Sequence, residues 1–150
     1  MYLDSAIIVK LLVREADSDW FSHKLSGHGF ETSELALTEV CAALLAKERA
    51  GDITARERVA ATENFFLMIE SESIRLLPLN RTVLERARAI QLACHPRIPL
   101  RTLDALHVAT CDLHHCGKMS ATDARMRAAC EQFAIALVPA KIEDILTTQI

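Results

Sequence analysis

The chain has 150 residues, of which 51% are hydrophobic and 25% are charged, and it contains only 4 Gly and 4 Pro. This composition is typical of a globular domain and excludes a disordered or collagen-like chain. Apolar runs fall far short of the roughly 18 residues needed to cross a bilayer, and Asp4 and Lys10 interrupt the first of them, so we expect neither a membrane span nor a secretory signal. The net charge of −3, taken alone, argues against a nucleic-acid partner.

Strand-length apolar runs alternate along the chain with segments of helical periodicity. The predicted strands cover residues 1–4, 30–32, 74–79, 118–122 and 135–138. The predicted helices cover residues 6–13, 18–25, 34–50, 54–69, 81–93, 103–115, 124–132 and 141–146. Because strands separated by helices pair in parallel, we predict one domain over residues 1–150. It is an α/β fold, a three-layer α/β/α sandwich with a central, mainly parallel sheet of about five short strands.

Helix N-termini carry sequence signals for capping. Ser33, Asn80 and Thr102 are each placed to cap the helix that follows, and Thr54 with Glu57 has the spacing of a capping box. We therefore expect these side chains to accept hydrogen bonds from the first turns of four helices.

Five cysteines are present, an odd number without the spacing of a disulfide framework. They are Cys41, Cys94, Cys111, Cys116 and Cys130. With no export signal, this pattern predicts reduced thiols and a cytoplasmic protein.

Four acidic residues are predicted to meet at one edge of the sheet. Asp4 ends the first strand and Asp123 follows the fourth, and parallel strands end at the same edge. Glu39 and Asp104 lie near the starts of helices, among apolar neighbours. An acid in apolar surroundings is costly to bury unless it is paired or binds a metal.

Each acid has an alternative interpretation when taken singly. Asp104 can interact favourably with its helix dipole, and Asp4 and Asp123 can be turn residues at strand ends. Their convergence favours a site, since nearby carboxylates raise one another's pKa unless a cation is bound. Mg²⁺ or Mn²⁺ suits oxygen ligands, and either ion assists phosphodiester hydrolysis.

Four segments carry these acids: YLDSAIIVKL at residues 2–11, TS at 32–33 followed by EVCAAL at 39–44, LDALHVAT at 103–110, and SATDARM at 120–126. In this order and spacing they resemble the PIN-domain ribonucleases, and among these the VapC-type toxins of prokaryotic toxin–antitoxin modules. The resemblance covers almost the whole chain. Each motif is weakly specific alone, and the four are strongly specific together.

The resemblance implies an endoribonuclease that depends on Mg²⁺ or Mn²⁺. Asp4, Asp104 and Asp123 correspond to the acids that hold the metal, and Glu39 to the acid that orients water or a second ion. We expect water to attack the phosphorus in line and to leave a 5′-phosphate and a 3′-hydroxyl.

Four further residues are predicted to support this site. Ser5 and Thr122 match hydroxyl residues that hydrogen-bond to metal ligands in such a family. The match is imperfect, because Ala6 replaces a second hydroxyl and Thr122 lies directly before the last acid instead of two residues earlier. Lys10 and Arg125, which are close in sequence to the acids, are the predicted RNA contacts.

The resemblance also implies partners: an RNA substrate, a cognate antitoxin protein and a second copy of the chain in a homodimer, with no membrane association. A different class of function stays open, a non-catalytic PIN-like module that binds RNA or a partner without cutting. The complete set of four acids favours the nuclease.

One helix concentrates possible ligands of a transition metal. His107, Cys111 and His114 share a face, with His115 and Cys116 directly beyond. Paired Cys-x-x-Cys arms are absent from the sequence, so packed thiols and a polar histidine pair are the favoured interpretation over zinc.

The net charge of −3 conceals two unlike halves. Residues 1–74 hold 7 basic and 13 acidic side chains, whereas residues 75–150 hold 10 and 7. Arginines between residues 75 and 101 are either a solvated face or phosphate contacts; they are Arg75, Arg81, Arg86, Arg88, Arg97 and Arg101. With cations bound to the acidic cluster, the overall charge is compatible with an RNA substrate.

Overall fold

A computed structural model describes residues 1–146, which contain a five-stranded sheet in which every pairing is parallel. The strands are β1 (Tyr2–Leu3), β2 (Phe30–Ser33), β3 (Ile74–Leu77), β4 (Lys118–Ser120) and β5 (Ala136–Val138). Their order in the sheet is β3-β2-β1-β4-β5. The predicted α/β class is confirmed. The extent of the domain, residues 1–150, stays a prediction, and its last four residues lie outside the described part.

Helices connect the strands and cover both faces of the sheet. They are α1 (Ser5–Leu12), α2 (Ser18–Leu25), α3 (Ala36–Ala50), α4 (Ala55–Glu70), α5 (Arg81–Cys94), α6 (Thr102–Leu113), α7 (Ala124–Gln132) and α8 (Glu143–Leu146). Within residues 1–146, none of the helices is both long and apolar enough to cross a membrane.

The two faces of the sheet pack against separate hydrophobic cores. Tyr2 belongs to the core formed with α5, α6 and α7, whereas its neighbour Leu3 belongs to the core formed with α1 to α4. This follows from the strand period, which sends successive side chains to opposite faces. Both residues have no exposed surface, which anchors β1 at the centre of the fold.

The sheet order places a switch point between β1 and β4. The chain builds outward from β1 through β2 to β3, then crosses back so that β4 lies on the other side of β1. In open α/β sheets, ligands bind beyond the carboxyl ends of the strands at such a point. Asp4 and Asp123 follow β1 and β4 closely, so the topology puts both at this position.

Two of the predicted caps are confirmed. Thr54 and Glu57 form a reciprocal capping box at the start of α4. The side chain of Asn80 accepts a hydrogen bond from the Val83 N–H, 3.2 Å away, at the start of α5. These caps satisfy backbone donors that a helix start would otherwise leave unpaired.

The other two predicted caps are wrong. Ser33 lies in β2, because strand pairing continues past it to Glu34, whose N–H donates to the Leu77 carbonyl, so α3 begins later, at Ala36. Thr102 is the first residue of α6 and not its cap; the extended residue before it makes no side-chain capping bond.

Candidate active site

Asp4 lies at the junction of β1 and α1, next to the end of β4. Its backbone N–H donates to the Ser120 carbonyl at 3.1 Å, and this bond ties the two strand ends together. The residue is 7% exposed, and its side chain makes no capping bond to α1. Burial raises the pKa of Asp4, and the charges of Glu39 and Asp104 raise it further, against the opposing effect of His107.

Glu39 reaches the same place from the beginning of α3. Its Oε2 accepts hydrogen bonds from Ser5 Oγ at 2.6 Å and from His107 Nε2 at 2.5 Å. Burial raises the pKa of Glu39, but the contacts with His107 and Ser5 outweigh burial and leave this pKa below its usual value. The carboxylate is thus fixed by two donors. Ser5, which was predicted to hydrogen-bond to a metal ligand, bonds here to Glu39, the acid predicted to orient water.

His107 belongs to α6, three residues after Asp104, and is 1% exposed. Its Nδ1 lies 2.6 Å from the hydroxyl of Tyr2, which also accepts a hydrogen bond from the Ser33 N–H at 3.1 Å. Its Nε2, besides contacting Glu39, lies 3.8 Å from Asp4 Oδ1. A buried imidazole therefore stands between two acids of the cluster.

Asp104 and Asp123 approach from the starts of α6 and α7. Asp123 is the N-cap of α7, since its Oδ1 accepts from the N–H groups of Arg125 at 2.9 Å and Met126 at 3.0 Å. A single guanidinium, that of Arg101, bridges the two acids: Nη2 lies 3.1 Å from Asp123 Oδ2, and Nε lies 3.3 Å from Asp104 Oδ2.

These two acids differ in their pKa. Burial and the charge of Asp123 raise the pKa of Asp104, with Arg101 opposing them. Burial also raises the pKa of Asp123, but the backbone donors of Met126 and Arg125 and the charges of Arg125 and Arg101 outweigh it, so this pKa is lowered.

The structure therefore brings all four predicted acids into one electrostatically coupled cluster. Across residues 1–146, no three His, Cys, Asp or Glu side chains stand close enough together to hold a metal ion. In this structure the guanidinium of Arg101 provides the positive charge next to Asp104 and Asp123. The donor set still fits a hard divalent cation, because it consists of carboxylates and because burial and neighbouring charges disfavour the ionised form of Asp4, which a cation would stabilise.

The other predicted site residues have mixed placements. Arg125 lies at the cluster, with Nη2 3.6 Å from Asp123 Oδ2. Lys10 forms ion pairs of 2.7 Å with both Glu15 and Asp17, which compete with RNA for its ammonium. Thr122 makes no side-chain hydrogen bond to any of the four acids in the described part of the chain.

The histidine and cysteine residues of α6 do not converge on a transition metal among residues 1–146. Cys111 is buried and His107 points to Tyr2 and Glu39, whereas His114 and His115 are exposed. Packing accounts for Cys111, whereas hydrogen bonds to Tyr2 and Glu39 account for His107.

Sequence reasoning missed the roles of three residues: Tyr2, His107 and Arg101. A signal existed for two of them. Tyr2 precedes Asp4 by two positions, the period of a strand face, and His107 follows Asp104 by three, the spacing of neighbours on a helix. Arg101 gave no comparable signal, because its contact depends on the conformation of a long side chain.

Comparison with known proteins agrees with this geometry. The family model of the PIN domain matches residues 1–132. The chain belongs to the PIN-domain family. It is 34% identical over 144 residues to Ribonuclease VapC46 of Mycobacterium tuberculosis (strain ATCC 25618 / H37Rv), a match that spans 92% of this chain and 95% of that protein. The predicted relationship to VapC-type ribonucleases is confirmed.

The fold is also shared with a solved protein structure. The crystal structure of Mycobacterium tuberculosis VapC20, described as a sarcin-ricin loop cleaving toxin, superposes with a TM-score of 0.66 at 21% identity. The match covers 85% of this chain and 93% of that one. At this identity the likeness concerns the fold, including the parallel sheet that positions the acids.

Proposed function

We propose that this PIN-domain protein is the toxin of a toxin–antitoxin module, an endoribonuclease that hydrolyses RNA phosphodiester bonds with Mg²⁺ or Mn²⁺. The observation that carries the proposal is the meeting of four acids from distant segments at the switch point between β1 and β4. The relationship to a VapC ribonuclease over nearly the full chain supports the same activity.

Asp4, Asp104 and Asp123 are the residues that would hold the ion. Burial, together with the charges of neighbouring acids, raises the pKa of Asp4 and of Asp104, so a bound cation would favour the ionised form of both. When bound, a divalent cation supplies Lewis-acid stabilisation of the charge that develops on the phosphoryl oxygens. Arg101 would have to leave Asp104 and Asp123 for the ion to bind.

Glu39 orients the attacking water. Both of its hydrogen bonds fall on Oε2, so Oε1 is the oxygen that would accept a hydrogen bond from the water. Its lowered pKa keeps it ionised near neutral pH, as an acceptor of a water proton must be. In-line attack then leaves a 5′-phosphate and a 3′-hydroxyl.

Arginines at the edge of the cluster are placed to contact the RNA backbone. Arg101 is 60% exposed at its side chain and Arg125 is 38% exposed, and both lie beside Asp123. A guanidinium binds phosphate oxygens well. Lys10 stays a weaker candidate because of its two ion pairs.

A cognate antitoxin, a homodimeric state and action in the cytoplasm complete the proposal. An antitoxin restrains a toxin of this type, so co-expression of the partner should restore growth.

The activity is tested by expressing the wild type and the Asp4→Asn variant in cells and mapping RNA ends. We expect the wild type to arrest growth and to produce new 5′-phosphate ends, and Asp4→Asn, which keeps the shape but removes the charge, to do neither. Asp19→Asn is the matched control, because Asp19 is 83% exposed at its side chain, in an ion pair with equally exposed Arg14.

The non-catalytic alternative predicts a different result. Wild type and Asp4→Asn would then bind RNA equally, and purified protein would produce no cleavage with Mg²⁺ or Mn²⁺. Cleavage by the wild type that persists in excess EDTA would contradict the role of the metal.

A further inference from the structure

Three hydrogen bonds connect the backbone of β2 to Glu39 through the core. The Ser33 N–H donates to the Tyr2 hydroxyl at 3.1 Å, this hydroxyl lies 2.6 Å from His107 Nδ1, and His107 Nε2 lies 2.5 Å from Glu39 Oε2. Tyr2 is 0% and His107 is 1% exposed. Since water is excluded from both side chains, each polar atom needs its partner in this chain of bonds.

The direction of the protons follows from the donors available. The Tyr2 hydroxyl has one proton and already accepts a bond from the Ser33 N–H, so it can donate its own proton to His107 Nδ1. Burial raises the pKa of Tyr2, which keeps that proton on the phenol. Because the ionised carboxylate of Glu39 can only accept, its bond to His107 Nε2 requires a proton on that nitrogen.

We infer that Tyr2 and His107 act as a positioning pair, in which the tyrosine hydroxyl orients the imidazole so that its Nε2–H donates to Glu39 and fixes this carboxylate. The inference rests on the proposed function, because it assigns a reason for the placement of the acid that orients water. Neither residue touches the reacting atoms; both act through Glu39.

Precise placement of Glu39 matters because a carboxylate on a helix has several rotatable bonds. Ser5 Oγ holds the same oxygen, Oε2, at 2.6 Å, so two donors from different elements converge on it. Supporting partners of this kind commonly change activity by about 10- to 100-fold when removed, although they contact no substrate. A histidine that merely fills the core would have no such effect on turnover.

The proton on Nε2 is observed directly by ¹⁵N NMR of the histidine rings in the full-length, metal-free protein at neutral pH. We expect His107 to show a protonated Nε2. An unprotonated Nε2 would overturn the inference. His114→Gln, a substitution at an exposed position beyond the same helix, is the control for assigning the spectrum.

Kinetics of RNA cleavage provide the second test. His107→Leu removes the donor, and we expect kcat to fall about 10- to 100-fold while KM for RNA stays unchanged. His107→Gln offers an amide N–H at a similar reach and should recover most of that loss. A His107→Leu variant with normal kcat, or a His107→Gln variant as impaired as His107→Leu, would contradict the inference.

The two proposals can fail separately. If the wild-type protein does not cleave RNA, the proposed function is wrong. The NMR result then still tests the hydrogen bonds on which the inference rests. A His107→Leu variant that does not fold leaves the proton on Nε2 of the wild type as the deciding observation. Tyr2→Phe adds a further check, because without the phenol hydroxyl we expect the imidazole to be held less firmly and kcat to fall, as in His107→Leu.

Discussion

The acidic cluster has two halves that are compensated by different means. Asp4 and Glu39 form the histidine side, where the buried His107 and Ser5 supply fixed hydrogen-bond donors. Asp104 and Asp123 form the arginine side, where the exposed guanidinium of Arg101 supplies the charge. The first arrangement is built into the core, whereas the second can be displaced by rotation of one side chain.

The two halves nevertheless share one principle. Each contains one acid whose pKa is lowered by hydrogen bonds, Glu39 or Asp123, and one whose pKa is raised, Asp4 or Asp104. Pairs whose pKa values are pushed apart are typical of acid–base and metal sites. Hydrogen bonds hold the two acids with lowered pKa, Glu39 and Asp123, in place. A cation would stabilise the ionised form of the two acids with raised pKa.

On the arginine side, Asp123→Ala tests the acid whose pKa is lowered by hydrogen bonds at the start of α7. It removes the cap of α7, and we expect it to lower the free energy of unfolding by about 1 kcal/mol and to abolish RNA cleavage. Because the pKa of Asp123 is below its usual 3.8, its stabilisation is present above that value and is lost as pH falls through the folded pKa. Urea unfolding at neutral and acid pH measures this.

The control for the cap is Asp123→Asn, which keeps an oxygen for the α7 donors. It should retain most of the stability and still lose cleavage. Equal destabilisation by alanine and asparagine would show that the cap bonds do not account for the effect.

On the histidine side, Asp4→Asn tests the acid with a raised pKa, and the effect on stability has the opposite sign. We expect the metal-free variant to have a free energy of unfolding up to about 1 kcal/mol higher than that of the wild type at neutral pH. The substitution removes a buried carboxylate whose charge is unfavourable there, and removing such functional residues commonly stabilises a protein. The folded pKa lies above the usual 3.8, so the wild type loses stability as pH rises through that window, and the gain should disappear at lower pH. A variant less stable than the wild type at neutral pH would contradict this account.

Much of this site could be predicted because it depends on topology. Parallel strands end at one edge, so the positions of Asp4 and Asp123 in the sequence were enough to bring them together. The partners could not be predicted in the same way. Whether His107 meets Glu39 depends on how α6 packs against α3 and β1. The cap predicted at Thr102 failed because the helix begins one residue earlier than expected, with Thr102 already inside it.

The displaceable charge of the arginine side is tested by Arg101→Ala. Removing the guanidinium removes a competitor for Asp104 and Asp123, so we expect the Mg²⁺ concentration for half-maximal binding to fall about threefold, the size typical of exposed ion pairs. The RNA concentration for half-maximal cleavage should rise, because a phosphate contact is lost. Arg97→Ala, in the same basic stretch, is the control. Metal binding that weakens in Arg101→Ala would contradict the competition.

The most direct test of the whole site is calorimetric titration of Mn²⁺ into metal-free protein. If the histidine and arginine sides share one ion, wild-type protein binds it, and Asp4→Asn and Asp104→Asn each weaken binding at least about tenfold, whereas Asp19→Asn does not. Binding that survives unchanged in Asp4→Asn, or wild-type protein that binds no Mn²⁺, would contradict the claim that the two halves form a single metal site.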